Sequence, residues 1–145
     1  MDCTVDDTLS YVLFMTRHIK EGDVPAATLA LLMELGFQSN VDGFWQLRDA
    51  IVLKYTRYHM RFGEIYTEVG SLYGIRTGSK QVEQTIRDAI NAAWDNRNEI
   101  TWGYFFSHKR TGALIKPSNS AFIGNMACTM VLWNSSRKEA YYAEK

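Results

Sequence analysis

One stretch of the 145-residue sequence carries a polar stripe of the kind that reads nucleic-acid bases. Lys80, Gln84, Arg87 and Asn91 are spaced by four, three and four residues, which places them on one face of a helix. Arginine and lysine can donate to guanine edges, and glutamine and asparagine can pair with adenine. The pattern predicts a recognition helix from Ser79 to Trp94 in the major groove of DNA, although a simply solvated polar face has the same pattern.

The residues before this stripe have the pattern of a helix–turn–helix. Gly70 would let a second helix approach closely, and Gly74 suits the left-handed conformation of a turn. Ile75 and Val82 would then anchor the second helix to the core. We therefore expect one helix to end near Gly74 and the recognition helix to begin a few residues later.

Helical periodicity extends over nearly the whole chain and predicts an all-α bundle of about six to seven helices that contains this helix–turn–helix. A short aromatic helix or turn and a basic loop, with a strand pair as the weaker alternative, interrupt it before the last helix. The predicted helices are Leu9 to Ile19 ended by Gly22, Ala26 to Leu35 ended by Gly36, Phe44 to Tyr58, Phe62 to Tyr73, Ser79 to Trp94, and Phe122 to Met130 after a cap from Lys116 to Ser120. The short aromatic helix or turn is Ile100 to Phe106, the basic loop is Ser107 to Lys116, and the alternative strand pair extends from Gly103 to Ile115.

The chain is predicted to form a single domain with an addition at each end. Residues 1–24 are expected to add one N-terminal helix, residues 25–133 to form the helix–turn–helix domain, and residues 134–145 to be a polar, frayed tail. The four tryptophans, Trp45, Trp94, Trp102 and Trp133, are expected to fill the core or an interface.

The residue types that usually carry catalysis or bind metals are scattered. His18, His59 and His108 show no paired spacing, and Cys3 and Cys128 are isolated. Glu64 and Glu68 are one turn apart but suit an exposed face with arginines nearby. We therefore predict no catalytic residue, no metal and no cofactor, and a protein that is not an enzyme.

The sequence also lacks the features of a membrane protein. No stretch approaches the ~20 consecutive apolar residues that a membrane span needs, and the N-terminus is acidic where a signal peptide would be basic. A soluble, cytoplasmic protein that does not bind membranes is predicted.

Two runs of residues are similar to a known family. The run from Val82 to Trp94 follows the pattern VExxIRxAIxxAW, and the run from Lys116 to Ile123 follows KPSNSxFI. Together with shorter matches from Leu35 to Phe37, Gly43 to Ile51 and Ile65 to Val69, they resemble the C-terminal effector domain of the sporulation master regulator, stage-zero sporulation protein A. The similarity extends from Ala26 to Leu132 and includes no receiver domain.

The resemblance implies an all-helical transcriptional regulator of spore-forming Firmicutes that binds short repeated boxes in double-stranded DNA as a tandem homodimer and contacts RNA polymerase. It also implies which residues face the DNA, and these agree with the polar stripe. The base-facing residues are Lys80, Gln81, Glu83, Gln84 and Arg87, to which the polar stripe adds Asn91. The residues predicted to contact the DNA backbone are Arg76, Thr77, Ser79, Lys109, Arg110 and Lys116, and the last three could contact the polymerase instead.

Three positions depart from the family. Gln81 and Gln84 stand where the family typically has arginine, and Asp88 stands where a histidine is usual. Replacing arginine by glutamine removes a bidentate contact to guanine, worth about 1–3 kcal/mol of discrimination. The sequence therefore predicts either an altered target or, as the alternative function, a protein-interaction module that dimerises with a related regulator or RNA polymerase and binds DNA weakly.

The distribution of charge along the chain supports DNA binding, whereas the net charge does not. The 16 basic and 16 acidic side chains cancel, whereas DNA-binding domains are usually basic. Residues 1–49 carry 3 basic and 8 acidic side chains, and residues 109–145 carry 6 basic and 2 acidic ones. Because the basic charge lies toward the half with the proposed DNA surface, we expect modest, salt-sensitive affinity.

Overall fold

A computed structural model describes residues 4–75 and 78–143, the last five of these by their backbone only. The described residues form seven α-helices and no strand, which confirms the predicted all-α fold. In chain order the helices are α1 (Val5–Met15), α2 (Val24–Glu34), α3 (Asp42–Thr56), α4 (Phe62–Leu72), α5 (Ser79–Asp95), α6 (Glu99–Gly103) and α7 (Asn119–Ala143). Asp2 and Cys3 lie outside the described residues.

The helices begin and end at residues suited to those positions. Thr4 forms a capping box with Asp7 at the start of α1, and Asp23 accepts a hydrogen bond from the Ala26 amide at the start of α2. Asn98 accepts from two amides in the first turn of α6. These side chains satisfy amides that the first turn leaves without partners, which explains why short helices are stable here.

Helix α3 lies at the centre of the bundle and packs against α2, α4, α5 and α7. Its buried side chains follow helical spacing, so one face of the helix forms the middle of the core. The most deeply buried residues of the core include Phe44, Leu47 and Ile51 from α3, Ile86 and Ile90 from α5, and Phe122, Ile123, Met126, Met130 and Trp133 from α7.

Helix α5 crosses α3 at a short distance, at Gly43. A Cβ atom on Gly43 would lie 2.6 Å from the Ala89 Cβ and 2.8 Å from the Thr85 carbonyl oxygen. Real Cβ atoms essentially never lie this close to another non-bonded atom, so any residue larger than glycine would force α3 and α5 to move apart at this crossing.

An aromatic cluster forms a second part of the core. Trp102, on α6, is fully buried, and its indole N–H donates to the Leu35 carbonyl at 3.0 Å. Phe37, Phe106 and Phe122 surround its ring, with centroids 6.3, 5.3 and 5.9 Å away. The bond fixes α6 to the end of α2, as expected for a tryptophan in a core.

The other tryptophans differ in burial. Trp133 is also fully buried, whereas Trp94 is partly buried and Trp45 is 37% exposed. Trp45 donates its indole N–H to the Ser39 carbonyl at 2.9 Å.

Three predicted boundaries are wrong. Helix α1 ends at Met15 rather than near Gly22, because a separate turn follows it. Tyr58 and Tyr73 lie beyond the ends of α3 and α4 and are exposed rather than part of an apolar stripe. A pattern of apolar residues does not itself show where the helix stops.

Helix α7 continues past Asn134 to Ala143, so residues 134–143 of the segment predicted as a polar, frayed tail are helical. Contacts from distant parts of the chain hold this extension. The Trp133 indole donates to the Thr16 hydroxyl at 2.7 Å, the Asn134 amide donates to the Tyr55 hydroxyl at 3.1 Å, and Arg137 donates to the Ile19 carbonyl.

A strand pair from Gly103 to Ile115 was the weaker alternative. The described residues of this segment form only one isolated bridge, between His108 and Leu114. None of the helices in the described part is long and apolar enough to cross a membrane.

Candidate nucleic-acid interface

The turn between α4 and α5 is closed by backbone hydrogen bonds around Gly74. The Ile75 amide donates to the Gly70 carbonyl at 2.8 Å, and the Gly74 amide donates to the Ser71 carbonyl at 3.3 Å. Gly74 has a φ of 68°, in the left-handed region that glycine adopts without a steric penalty. The turn predicted at Gly74 is therefore confirmed.

The close approach predicted at Gly70 does not require glycine. A Cβ atom there would lie 3.5 Å from the Val82 side chain, an ordinary van der Waals distance. Helix α5 does pack beside Gly70, but the crossing that excludes any larger residue is at Gly43.

A polar link holds the turn against α3. The Tyr73 hydroxyl donates to Asp49 at 2.5 Å, and Asp49 also pairs with Arg48 at 2.5 Å. Partial burial and the hydrogen bond to Asp49 raise the pKa of Tyr73 to about 12. Both effects favour the protonated phenol, which is the form that donates to Asp49.

The polar face of α5 is open to solvent, as the spacing predicts. Lys80, Gln81, Gln84 and Arg87 are exposed, and Asn91 is half-buried. The opposite face packs into the core through Val82, Ile86, Ala89, Ile90 and Ala93.

The charged groups of this face contact one another. The Arg87 guanidinium donates to Glu83 at 2.9 Å and to the Gln84 side-chain oxygen at 3.2 Å, and the Gln84 amide donates to Asp88 at 2.8 Å. Exposed ion pairs of this kind contribute about 0.2–1 kcal/mol. Arg87 can therefore exchange these partners for a nucleic acid at small cost.

A groove of about 620 Å³ runs beside this face, between α5, the start of α4 and the segment that leads into α7. Ser79, Arg87 and Asn91 line it from α5, and Lys116 lines it from the segment before α7. The structure thus brings two residues predicted to contact the DNA backbone, Ser79 and Lys116, beside three predicted to face the bases, Glu83, Arg87 and Asn91.

Two other residues predicted to contact the DNA backbone do not line this groove. Lys109 and Arg110 are exposed on a separate turn, in which the Lys109 amide donates to the Ala113 carbonyl at 2.7 Å. Arg76 and Thr77 lie outside the described residues.

Two residues that position the groove were missed by the sequence analysis. The buried Asn119 side chain donates to the Glu83 carbonyl at 2.9 Å and so joins the start of α7 to α5. Tyr66 lines the same groove from α4. Its pKa is raised, first by burial and further by the Glu83 carboxylate.

Only indirect signals of these two roles are present in the local sequence. Asn119 was part of the segment predicted to cap the last helix, and Tyr66 was part of an apolar stripe. A hydrogen bond between residues 36 positions apart leaves no trace in local periodicity.

The residues considered for other chemistry lie apart. His18 and His59 are exposed, His108 packs against Gly103, and Glu68 pairs with Arg57 at 3.4 Å. Within residues 4–75 and 78–143 no three metal-binding side chains are grouped so that they could hold an ion. Cys128 is an exposed free thiol.

Residues 28–130 match the family model described as sporulation initiation factor Spo0A C terminal. The match covers more than two thirds of the 145-residue chain and includes the helix–turn–helix, the recognition face and the groove. It leaves out α1 and the last part of α7.

Proposed function

Because the chain belongs to the Spo0A C-terminal family of DNA-binding effector domains, we propose that it is a sequence-specific transcriptional regulator whose helix α5 binds in the major groove. One observation carries the proposal. The second helix of a helix–turn–helix presents Lys80, Gln84 and Arg87 together on an exposed face, and such a helix places its N-terminal residues against base edges.

We assign distinct tasks to the exposed side chains by their chemistry. Arg87 and Lys80 donate to guanine, whereas Gln84 and Asn91 pair with adenine. Gln81 and Glu83 complete the base-facing set, in which Glu83 pairs with Arg87 in the free protein.

Phosphate contacts are proposed for the remaining site residues. Ser79 and Lys116 would contact the DNA backbone from the groove beside α5. Arg76 and Thr77 in the turn, and Lys109 and Arg110 in the basic loop, complete that set. Such contacts position the protein without reading sequence.

The assembly and partners are part of the same proposal. Residues 25–133 form the effector-like domain, with residues 1–24 and 134–145 as additions. The domain binds DNA as a homodimer in the cytoplasm and contacts RNA polymerase.

The first experiment measures binding to duplexes selected from a random library by fluorescence anisotropy. Arg87→Ala and Lys80→Ala should each weaken binding by about 1–3 kcal/mol, which is roughly 5- to 150-fold. Lys20→Ala is the matched control, because it removes the same charge as Lys80→Ala from the connection between α1 and α2.

Binding should also weaken steeply as salt rises, because phosphate contacts release counterions. Absence of binding by the wild-type protein to any selected duplex at low salt would contradict the proposed function. Equal losses in all three variants would contradict the assignment of α5.

A second experiment tests the ion pair on the recognition face. Glu83→Gln removes a negative charge that faces the DNA and frees Arg87 from its 2.9 Å partner. We expect affinity to rise by up to about fivefold, the equivalent of an exposed pair at roughly 0.2–1 kcal/mol. Glu64→Gln, on α4, changes the net charge equally and should have a smaller effect. A weaker complex with Glu83→Gln would show instead that Glu83 itself accepts a hydrogen bond from a base.

A further inference from the structure

Two hydrogen bonds on the exposed face of α5 hold the side-chain amide of Gln84. The Gln84 Nε2 donates to Asp88 Oδ1 at 2.8 Å, and the Arg87 guanidinium donates to Gln84 Oε1 at 3.2 Å. Gln84 and Asp88 are both exposed, and because they are four residues apart they lie on the same side of the helix. Asp88 is therefore next to a residue proposed to read a base.

The two partners determine which way the amide of Gln84 points. A carboxylate can only accept hydrogen bonds, and a guanidinium can only donate them. Turning the amide over would place its oxygen against Asp88 and its N–H groups against Arg87, so both bonds would be lost. The nitrogen of Gln84 is therefore held toward Asp88.

Asp88 also limits the number of hydrogen bonds that Gln84 can offer to a base. A glutamine amide has two N–H donors and an oxygen with two lone pairs. Asp88 uses one of these donors and Arg87 uses one lone pair, so one donor and one lone pair remain. When Arg87 turns to the DNA, a lone pair is released but the amide still has a single free N–H.

The bases differ in what they can exchange with this amide in the major groove. Adenine presents the acceptor N7 beside the N6 amino donor, whereas guanine presents two acceptors, N7 and O6. Cytosine presents a donor alone and thymine an acceptor alone. Adenine is therefore the base that pairs with both free positions of Gln84, and guanine would keep an unpaired acceptor, which costs free energy in a desolvated interface.

From this count we propose that Asp88 determines specificity, because it withholds one N–H of Gln84 and so makes Gln84 select adenine over guanine. Asp88 acts through Gln84 and does not itself contact the base, so it is a positioning residue. The inference rests on the proposed function of α5, since it concerns the same face and the same ligand.

The test compares duplexes that differ from the selected one at single base pairs, with binding measured by fluorescence anisotropy. Gln84 reads the base pair at which exchanging A·T for G·C no longer matters in Gln84→Ala. Wild-type protein should prefer adenine there by about 5- to 150-fold, the range for a bidentate contact. Asp88→Ala should lower this preference by about 2- to 10-fold, the effect of one hydrogen bond.

Asp95→Ala is the matched control, because it removes the same side chain from the exposed last residue of α5. Loss of a negative charge alone should strengthen binding to both duplexes equally and leave their ratio unchanged. Adding Asp88→Ala to Gln84→Ala should also leave the ratio unchanged, since the two residues act as one unit. An unchanged ratio in Asp88→Ala, or an equal fall in Asp95→Ala, would overturn the inference.

NMR relaxation of the Gln84 side-chain amide tests the bond to Asp88 in the absence of DNA. We expect Asp88→Ala to lower the order parameter of this amide and Asp95→Ala to leave it unchanged. Equal order parameters in wild-type protein and Asp88→Ala would contradict the role of Asp88. Wild-type protein that binds no selected duplex would contradict the proposed function as well, whereas binding with an unchanged ratio in Asp88→Ala overturns only the role of Asp88.

Discussion

Trp102→Ala should lower the free energy of unfolding by about 3–5 kcal/mol, the usual cost of truncating a large buried aromatic residue. Trp102 is fully buried, and its ring lies among Phe37, Phe106 and Phe122. Its removal would leave a cavity where α2, α6 and α7 meet. It would also leave the Leu35 carbonyl without the indole donor at 3.0 Å, which adds the cost of an unpaired buried polar group.

Urea denaturation followed by helical circular dichroism measures this change. Trp45→Ala provides the control, because Trp45 is 37% exposed and should cost less. Trp102→Phe separates the two contributions, since it keeps an aromatic ring but removes the indole N–H. A loss below about 1 kcal/mol for Trp102→Ala would contradict the packing described for this cluster.

Gly43→Ala should lower the free energy of unfolding by about 1–3 kcal/mol, the range for inserting an atom into a well-packed core. The added methyl group would lie 2.6 Å from Ala89 and 2.8 Å from the Thr85 carbonyl. Because the carbonyl belongs to the backbone of α5, rotation of a side chain cannot relieve the overlap. Helix α5 must instead move away from α3.

The movement of α5 gives Gly43→Ala a second effect, on DNA binding. We expect weaker binding at protein concentrations where the variant remains folded, since the recognition face would shift relative to α4. Gly63→Ala is the control, because a Cβ atom there meets nothing within 4 Å. Unchanged stability in Gly43→Ala would show that α3 and α5 do not cross as closely as described.

The amphipathic helices were predictable because their pattern is local. The buried residues of α5 lie opposite the predicted polar stripe, since apolar side chains at intervals of three and four must share one side of a helix. Gly36 and Gly74 likewise marked the ends of α2 and α4 through a conformation that other residues adopt at a cost.

The extension of α7 could not be predicted in the same way. The segment after Asn134 is polar, and its own composition favours fraying. Its order depends on Thr16, Ile19 and Tyr55, each of which is 79 or more positions away in the sequence. Such contacts exist only once the fold has formed.

Only the α5 side of the candidate site could be predicted from the sequence. The exposed face of α5 followed from spacing, but the groove beside it depends on how α4 and α7 pack. The need for glycine at position 43 likewise arises from a helix crossing, which no pattern within α3 reveals.

The bonds from Trp133 and Arg137 to Thr16 and Ile19 tie the end of α7 to the turn that follows α1. Helix α1 with its following turn and the end of α7 both lie outside residues 28–130. Side chains of α7 donate hydrogen bonds to that turn. In native-state hydrogen exchange the two segments should therefore open as one cooperative unit, distinct from the family domain between them. Losing either would expose the amides of both.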